Sequence, residues 1–158
     1  MRKEFMRELV KRAGINKNIW LLTGDLGYGI LDEFRDKYPE RFIQCGASEQ
    51  AMLDIAVGLA YEGKLPFVYS ITTFLVYRGF ETIRTYINHE NLPVKLIGSG
   101  RDKDYAHDGW SHDATDVRKF LDPFDNLEQF WPIDEKYIPE MLDEMIKNKK
   151  PSFISLRR

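Results

Sequence analysis

The sequence has one cysteine, almost no net charge and no long apolar run. Cys45 is the only cysteine among the 158 residues, which excludes an intrachain disulfide and a cysteine-rich metal site. No segment approaches the ~20 consecutive apolar residues of a membrane span, and the charged segment MRKEFMRELVKRAG lacks the apolar stretch of a signal peptide. The net charge of −2, with acids and bases mixed, disfavours nucleic-acid binding. We expect a cytoplasmic protein with no nucleic-acid and no membrane partner.

What the sequence does contain is an alternation of short apolar and amphipathic segments. Hydrophobic residues make up 43% and charged residues 30% of the chain, which is typical of a globular protein. Six strands are predicted at 18–23, 42–45, 66–70, 94–98, 127–131 and 152–156. Helices are predicted at 3–13, 31–38, 48–62, 74–89, 114–121 and after Asp134. This order predicts one α/β domain over residues 1–158, a three-layer sandwich with a six-stranded parallel sheet.

Several polar and aromatic motifs follow directly after predicted strands. They comprise Gly24 to Leu26, Gly46 to Glu49, Ile71 to Phe74 and Gly98 to His112. In open α/β sheets, ligands bind beyond the carboxyl ends of the strands. The order of the elements therefore predicts a ligand site on this edge.

Glu49 stands at the start of the strongest amphipathic helix. Apolar residues recur there at helical spacing, at Met52, Ile55, Ala56, Leu59 and Ala60. Taken alone, an acid in a first helical turn is most simply a capping residue that complements the helix dipole.

The predicted helix after residue 73 carries an aromatic stripe. Phe74, Tyr77 and Phe80 recur at every third position, which is usual for a core-facing helix and also suits a pocket for a flat ligand. Arg78 and Glu81 are spaced as an exposed ion pair on the same helix.

Two further patterns have a functional and a simpler interpretation. Gly24 to Gly29, GDLGYG, mimics a dinucleotide-binding loop, but the acid expected about 20 residues later is replaced by Gln44 and Cys45. His107, Asp108 and His112 share one loop, but their spacing matches no standard zinc pattern. We therefore favour neither a dinucleotide nor a metal ligand for these residues.

The chain resembles the pyrimidine-binding domain of the transketolase family, which uses thiamine diphosphate. The family's segment PERF-strand-G-x-x-EQ-M-x-x-x-A-x-GLA-x-x-G reads here from Pro39 to Gly63. The resemblance continues in Thr23 to Gly27, in Pro66 to Val68, in TTFLVYRGFETIR from Thr72 and in DGWSHDATD from Asp108. It implies the thiamine diphosphate-binding fold of the pyrimidine domain.

The resemblance also implies roles for the cofactor-binding residues. Glu49 matches the catalytic glutamate that hydrogen-bonds the aminopyrimidine ring of the cofactor. Phe74, then Tyr77, then Phe80 match aromatic walls of the pyrimidine pocket. Asp25 matches an aspartate that reaches toward the cofactor, although an Asx turn at the strand end is the simpler interpretation.

Substrate-facing groups are implied by the family motif D-G-x-x-H. Asp108 would meet a donor hydroxyl, and His112 a substrate oxygen or a transferred proton. Two residues that grip an acceptor phosphate in the family are replaced here, near Gly29 and Gly100. Arg101 and Lys103 would restore positive charge, or would simply belong to a solvated loop.

Much of the family's cofactor site is missing from these residues. The G-D-G…N motif, which holds the diphosphate through magnesium, does not occur, and we expect the diphosphate-binding and C-terminal domains to be absent. The resemblance thus implies a separate diphosphate-binding subunit that holds magnesium, and a heterotetramer with two active sites. An aromatic surface around Glu49 and Phe74 would favour a homodimer even without that partner.

Three functions are compatible with this pattern. The first is the pyrimidine-binding subunit of a split transketolase that transfers a ketol unit between small sugar or keto substrates. The second is a thiamine-dependent 2-oxo acid decarboxylase or 1-deoxy-sugar synthase subunit. The third is a non-catalytic regulatory module, which the intact Glu49, Phe74, Asp108 and His112 disfavour.

Overall fold

The computed structural model describes all 158 residues, Met1–Arg158. The strands are β1 Ile19–Thr23, β2 Phe42–Gln44, β3 Leu65–Ile71, β4 Lys95–Ser99, β5 Glu128–Phe130 and β6 Ser152–Leu156. The α-helices are α1 Arg2–Ile15, α2 Asp32–Lys37, α3 Glu49–Tyr61, α4 Phe80–Thr82, α5 Val117–Leu121 and α6 Ile138–Lys147. No helix combines the length and the apolar character that crossing a lipid bilayer demands.

The six strands form one parallel sheet. Their order is β2-β1-β3-β4-β6-β5, so β1, β3, β4 and β6 are interior strands. The interior strands read as apolar runs because both of their faces are covered. The structure confirms the predicted α/β class and the six-stranded parallel sheet.

Two apolar clusters lie on opposite faces of the sheet. One joins α3, the helical stretch after β3 and α5 to the sheet, through residues such as Leu53, Leu75 and Leu121. The other joins α1, α2 and α6 to the opposite face, through residues such as Phe5, Phe34 and Leu142. Helices, sheet and helices therefore make the three layers that the sequence predicts.

The stretch of residues 74–88, here called the site helix, is not a uniform α-helix. It has π-helical turns at Phe74–Arg78 and Ile83–Asn88 on either side of α4. Hydrogen bonds with π spacing widen the helix locally, and such turns recur at functional sites. The periodicity predicted a helix here but not its irregular winding.

The segment after β4 also departs from the predicted boundaries. The predicted loop contains two 3₁₀ turns, Ala106–Asp108 and Trp110–His112. An antiparallel bridge between Asp102 and Ala114 keeps Ala114 extended, and the next helix begins only at Val117 rather than at 114. A contact between distant residues thus overrides local helix propensity.

Arg101 is neither a solvated loop residue nor a free positive charge. Its side chain is buried and donates to the Pro132 carbonyl at 2.8 Å and to Ser155 Oγ at 3.2 Å. Burial lowers the pKa of the guanidinium. The two roles considered for Arg101 from the sequence are therefore wrong, because internal acceptors on β6 and just after β5 hold its side chain.

Lys95, the first residue of β4, is fully buried at the amino-terminal edge of the sheet. Its Nζ donates to the carbonyl oxygen of Lys150 at 2.6 Å and to Oδ1 of Asn148 at 2.9 Å. Burial lowers the pKa of Lys95 to about 7, and the charge of Glu128 opposes that shift. The lowered pKa makes this lysine a source of pH-dependent stability.

We expect Lys95 to make the chain more stable as the pH rises from about 7 toward 10.5. In that window the unfolded chain binds a proton on Lys95 that the folded chain has released, so a higher pH favours folding. Lys95→Met should remove on the order of 2 kcal/mol of this rise, because hydrogen bonds to the charged amine offset part of the linkage. Urea denaturation of both proteins near pH 7 and pH 10 measures it. A constant difference between the two proteins would show that folded Lys95 keeps its proton.

Candidate functional site

The motifs that follow β1, β2, β3 and β4 meet at the carboxyl edge of the sheet. The parallel register places Thr23 beside Gln44 and Tyr69, and Ile71 beside Ser99. Segments that leave these strands therefore begin next to one another. This arrangement brings Asp25, Glu49 and Phe74 around one cavity.

Glu49 is the first residue of α3 and is buried, with 3% of its side chain exposed. Gly46, at φ 65°, makes the left-handed turn from β2 that a residue with a side chain rarely adopts. Glu49 Oε1 accepts a hydrogen bond from Ser70 Oγ at 3.0 Å, and Oε2 accepts one from Arg78 Nη1 at 2.8 Å. Because both oxygens bind side chains of other elements, helix capping does not describe this carboxylate.

Phe74 lies beside Glu49 at the start of the site helix. The guanidinium carbon of Arg78 lies 3.7 Å from the centroid of the Phe74 ring. The imidazole of His112 meets the same ring edge-on, with the centroids 4.7 Å apart. The Phe74 ring thus lies in one cavity with the Glu49 carboxylate and contacts the His112 imidazole.

Tyr77 and Phe80 turn away from Glu49 to different degrees. Tyr77 lines a neighbouring cavity, and its hydroxyl donates to Asp116 Oδ1 at 2.5 Å. Burial, and then the hydrogen bond to Asp116, raise the pKa of Tyr77. Phe80 packs against Phe120 and Phe124, with centroids 4.9 Å and 5.7 Å away, and lines neither cavity. Its position resembles that of a core residue more than that of a pocket wall.

His112 is attached to the site through its own loop. Thr73 Oγ1 donates to the Ser111 carbonyl at 2.7 Å, which ties the loop to the start of the site helix. Ser111 Oγ lies 3.0 Å from His112 Nδ1. Asp108 stays exposed and pairs with His107 at 3.3 Å. Of the two predicted substrate-facing residues, only His112 contacts the Phe74 wall.

Asp25 follows β1 and lines the Glu49 cavity. Its Oδ1 accepts a hydrogen bond from the Tyr28 hydroxyl at 2.9 Å. Asp25 is exposed, and this local bond occupies only one of its two carboxylate oxygens. The position suits a residue at the rim of the site.

Two adjoining cavities make up the site. The inner cavity has a volume of about 230 Å³ and contains Glu49, Ser70 and Asp25 in its walls. The outer cavity has a volume of about 310 Å³ and is lined in part by Tyr77 and Trp110. Phe74 and Arg78 line both cavities. These two side chains therefore stand between the inner and outer parts of the site.

The sequence interpretation missed Ser70 and assigned Arg78 the wrong partner. Arg78 bonds Glu49 of another helix and not Glu81 of its own, so the predicted surface pair is wrong for Arg78. Ser70 was detectable, because a serine hydroxyl in the mainly apolar run of β3 needs a buried partner. Gln50, the residue after Glu49, donates to Thr82 Oγ1 at 2.5 Å and joins α3 to the site helix.

A family model describes the chain from end to end. The model for the pyrimidine binding domain of transketolase matches residues 1–158. The chain belongs to this family. The resemblance inferred from the Glu49 segment is therefore confirmed, and transketolases are the proteins with which the site is best compared.

Two relatives match nearly the whole chain. It is 28% identical, over all of its length, to the putative transketolase C-terminal section of Methanocaldococcus jannaschii. It is 27% identical, over 99% of its length, to one of the subunits of the apulose-4-phosphate transketolase of Phocaeicola vulgatus. These matches cover 50% and 51% of the relatives, so the chain spans about half their length.

Solved structures agree with the sequence matches. A split gene transketolase, described as an inactive beta4 tetramer, superposes with a TM-score of 0.88 at 28% identity, covering 99% of this chain and 50% of that one. The transketolase of Campylobacter jejuni gives a TM-score of 0.89 at 21% identity, covering 99% of this chain and 25% of that one. At that identity the second match supports the fold alone. Both place the chain in the pyrimidine-domain fold.

Proposed function

We propose that this chain is the pyrimidine-binding subunit of a split transketolase-type transferase, which moves a ketol unit between small sugar or keto substrates with thiamine diphosphate. The observation that carries the proposal is the buried Glu49 carboxylate in one cavity with the half-buried ring of Phe74. A carboxyl group can share a proton with a ring nitrogen and accepts a strong hydrogen bond once that nitrogen is protonated, and an aromatic face receives a flat heterocycle. Glu49 and Phe74 therefore fit an aminopyrimidine.

Each site residue has a defined task in this proposal. Bound thiamine diphosphate supplies an electron sink for carbanion chemistry. Glu49 holds and exchanges a proton at a pyrimidine ring nitrogen, and Ser70 orients its carboxylate.

Phe74 and Tyr77 orient the ring, and Asp25 lies at the rim. His112 serves a substrate oxygen or a transferred proton, and Asp108 meets a donor hydroxyl. Phe80, by its packing, supports the helix from behind.

The diphosphate and its magnesium ion are proposed to be held by a separate diphosphate-binding subunit. This domain offers no G-D-G…N motif, and no group of three metal-ligating side chains occurs in the structure. Relatives that match the whole chain are named as subunits or sections of transketolases. We therefore propose a cytoplasmic heterotetramer, in which a homodimer of this domain joins two partner subunits. The pyrimidine-binding domain in this proposal corresponds to residues 1–158.

A second candidate function has an observation in its favour. The chain is 31% identical, over 93% of its length, to the 1-deoxy-D-xylulose-5-phosphate synthase of Desulforudis audaxviator, of which it covers 23%. A 1-deoxy-sugar synthase subunit uses the same Glu49 and Phe74 chemistry with a different donor. Assaying the complex with keto acid and ketose donors separates the two functions. A non-catalytic module is disfavoured, because it would not need a buried carboxylate such as Glu49 next to Phe74.

Co-purification from the native source, followed by cofactor analysis of the complex, tests the split-site proposal. We expect thiamine diphosphate in the complex, and far weaker binding by the isolated chain in calorimetry with magnesium, because the magnesium ligands are elsewhere. Light scattering should report a dimer or larger species for the isolated chain. Sub-micromolar binding by the chain alone would contradict the split site, and a strict monomer would favour the regulatory module.

Phe74→Ala should weaken cofactor binding before it affects the chemical step. The substitution removes the aromatic wall next to Glu49, and such contacts contribute roughly 0.5–1.5 kcal/mol beyond the buried area. We therefore expect about a tenfold higher dissociation constant in calorimetry on the complex. Tyr137→Ala, an aromatic change at an exposed position outside both cavities, is the matched control. Unchanged affinity in Phe74→Ala would assign that ring to packing.

A further inference from the structure

Arg78 contacts both of the groups that the proposed function reserves for the cofactor. Its Nη1 lies 2.8 Å from Glu49 Oε2, and its guanidinium carbon lies 3.7 Å from the Phe74 ring centroid. A guanidinium is flat, presents N–H groups at its edge and stacks on aromatic faces. Arg78 thus offers Glu49 and Phe74 the same two interactions that an aminopyrimidine would offer.

The two ligands compete for these partners. Glu49 Oε1 accepts a hydrogen bond from Ser70 and Oε2 accepts one from Arg78, so Arg78 is the partner that a ring would replace at Oε2. The guanidinium also stacks on the Phe74 ring, and both side chains line the inner cavity. A ring that binds Glu49 and lies on Phe74 therefore has to displace Arg78 from both contacts.

The outer cavity can accommodate the Arg78 side chain when it is displaced from Glu49. The Arg78 side chain is 46% exposed, whereas that of Glu49 is 3% exposed, so the arginine is the mobile partner of the ion pair. The outer cavity, which Arg78 also lines, contains Asp113 and Asp116. An outward rotation would bring the guanidinium toward these acids and into water, while the buried carboxylate stays in place.

We infer that Arg78 is a resident counter-ion that closes the Glu49 site and is released when the pyrimidine ring enters. This inference rests on the proposed function, since it concerns the same carboxylate. The ion pair compensates the buried charge of Glu49 before loading, because an unpaired buried carboxylate is strongly unfavourable. A ligand that displaces Arg78 must itself compensate the charge of Glu49. The ion pair therefore favours the binding of rings that donate a hydrogen bond to Glu49.

The test uses the full chain and the pyrimidine half of thiamine, 4-amino-5-hydroxymethyl-2-methylpyrimidine, as the probe. Its dissociation constant is measured by NMR titration for wild type, Arg78→Ala, Arg78→Lys and Arg84→Ala. Arg84 is an exposed arginine of the same site helix, so its variant controls for net charge. We expect Arg78→Ala to bind about tenfold more tightly, because the probe no longer competes with a charge-assisted hydrogen bond. Arg78→Lys should stay near wild type, and Arg84→Ala should equal it.

A second signal reports on Arg78 without any comparison of affinities. The Phe74 ring current should shift the side-chain protons of Arg78 in the free protein, and addition of the probe should return them to ordinary values. If Arg78→Ala is poorly folded by circular dichroism, Arg78→Gln replaces it, since an amide still donates to Glu49 without the charge. Unmoved Arg78 signals during saturation would overturn the inference.

The outcomes separate this inference from the proposed function. If Arg78→Ala binds the probe more weakly or equally, while Glu49→Ala abolishes binding, Arg78 only supports the site and the proposed function stands. If neither variant changes the binding of the probe, or if no protein binds it, both the inference and the role of Glu49 are overturned. A gain in Arg78→Ala, with loss in Glu49→Ala, supports both.

Discussion

Glu49→Gln in the reconstituted complex is expected to lower turnover by at least about a thousandfold and to leave cofactor affinity nearly unchanged. General acid–base groups contribute typically 10²–10⁴ in rate, and the glutamine cannot exchange the proton. The amide oxygen still accepts from Ser70 or Arg78, so the local packing is kept. Steady-state kinetics gives the turnover number, and calorimetry gives the affinity for thiamine diphosphate.

The control for this variant lies at the other end of the same helix. Glu62→Gln makes the same chemical change at an exposed position just after α3 and should leave both quantities unchanged. If Glu49→Gln kept most of the activity, the proton-transfer role would be wrong. If it instead lost cofactor affinity with normal turnover at saturation, Glu49 would serve binding alone.

The interior of the sheet was predictable because β1, β3, β4 and β6 are short, mainly apolar runs bounded by turn-forming residues. Pro93 and Pro151, for example, lie just before β4 and β6. The alternation of these runs with amphipathic segments then implies parallel strands, since each crossover helix returns the chain to the same edge. The shared edge, in turn, brings Glu49, Phe74 and His112 together without any knowledge of side-chain conformation.

The parts that sequence reasoning missed depend on contacts between distant residues. Arg78 has Glu81 at helical spacing, but the buried carboxylate of Glu49, 29 residues earlier, is the stronger partner. Arg101 likewise meets acceptors at Pro132 and Ser155, 31 and 54 residues away. Local periodicity carries no information about such pairs, because the partner is chosen by the packing of whole elements.

Gly79 connects the packing of two helices with the geometry of the site. It lies between the first π turn of the site helix and α4, where the helix crosses close to α3. A Cβ at Gly79 would come within 1.9 Å of Leu53 Cδ1 and 3.1 Å of the Leu75 carbonyl oxygen. Leu53 is fully buried, so a shift of its side chain disturbs the packed core between the two helices. The glycine therefore sets the distance between the helix of Glu49 and the helix of Phe74.

Gly79→Ala should destabilise the chain by about 3 kcal/mol, because overpacking forces a buried leucine and two helices apart. Gly58→Ala is the matched control, since a Cβ at that exposed position of α3 meets nothing within 4 Å. It should stabilise the chain by roughly 0.5–1 kcal/mol through helix propensity. Urea denaturation measures both changes.

Because Gly79 adjoins Arg78, its variant should also shift the NMR signals of Arg78, whereas the control should not. Equal stabilities of the two variants would mean that the helices can separate without cost, and that Gly79 does not set the geometry of Glu49 and Phe74.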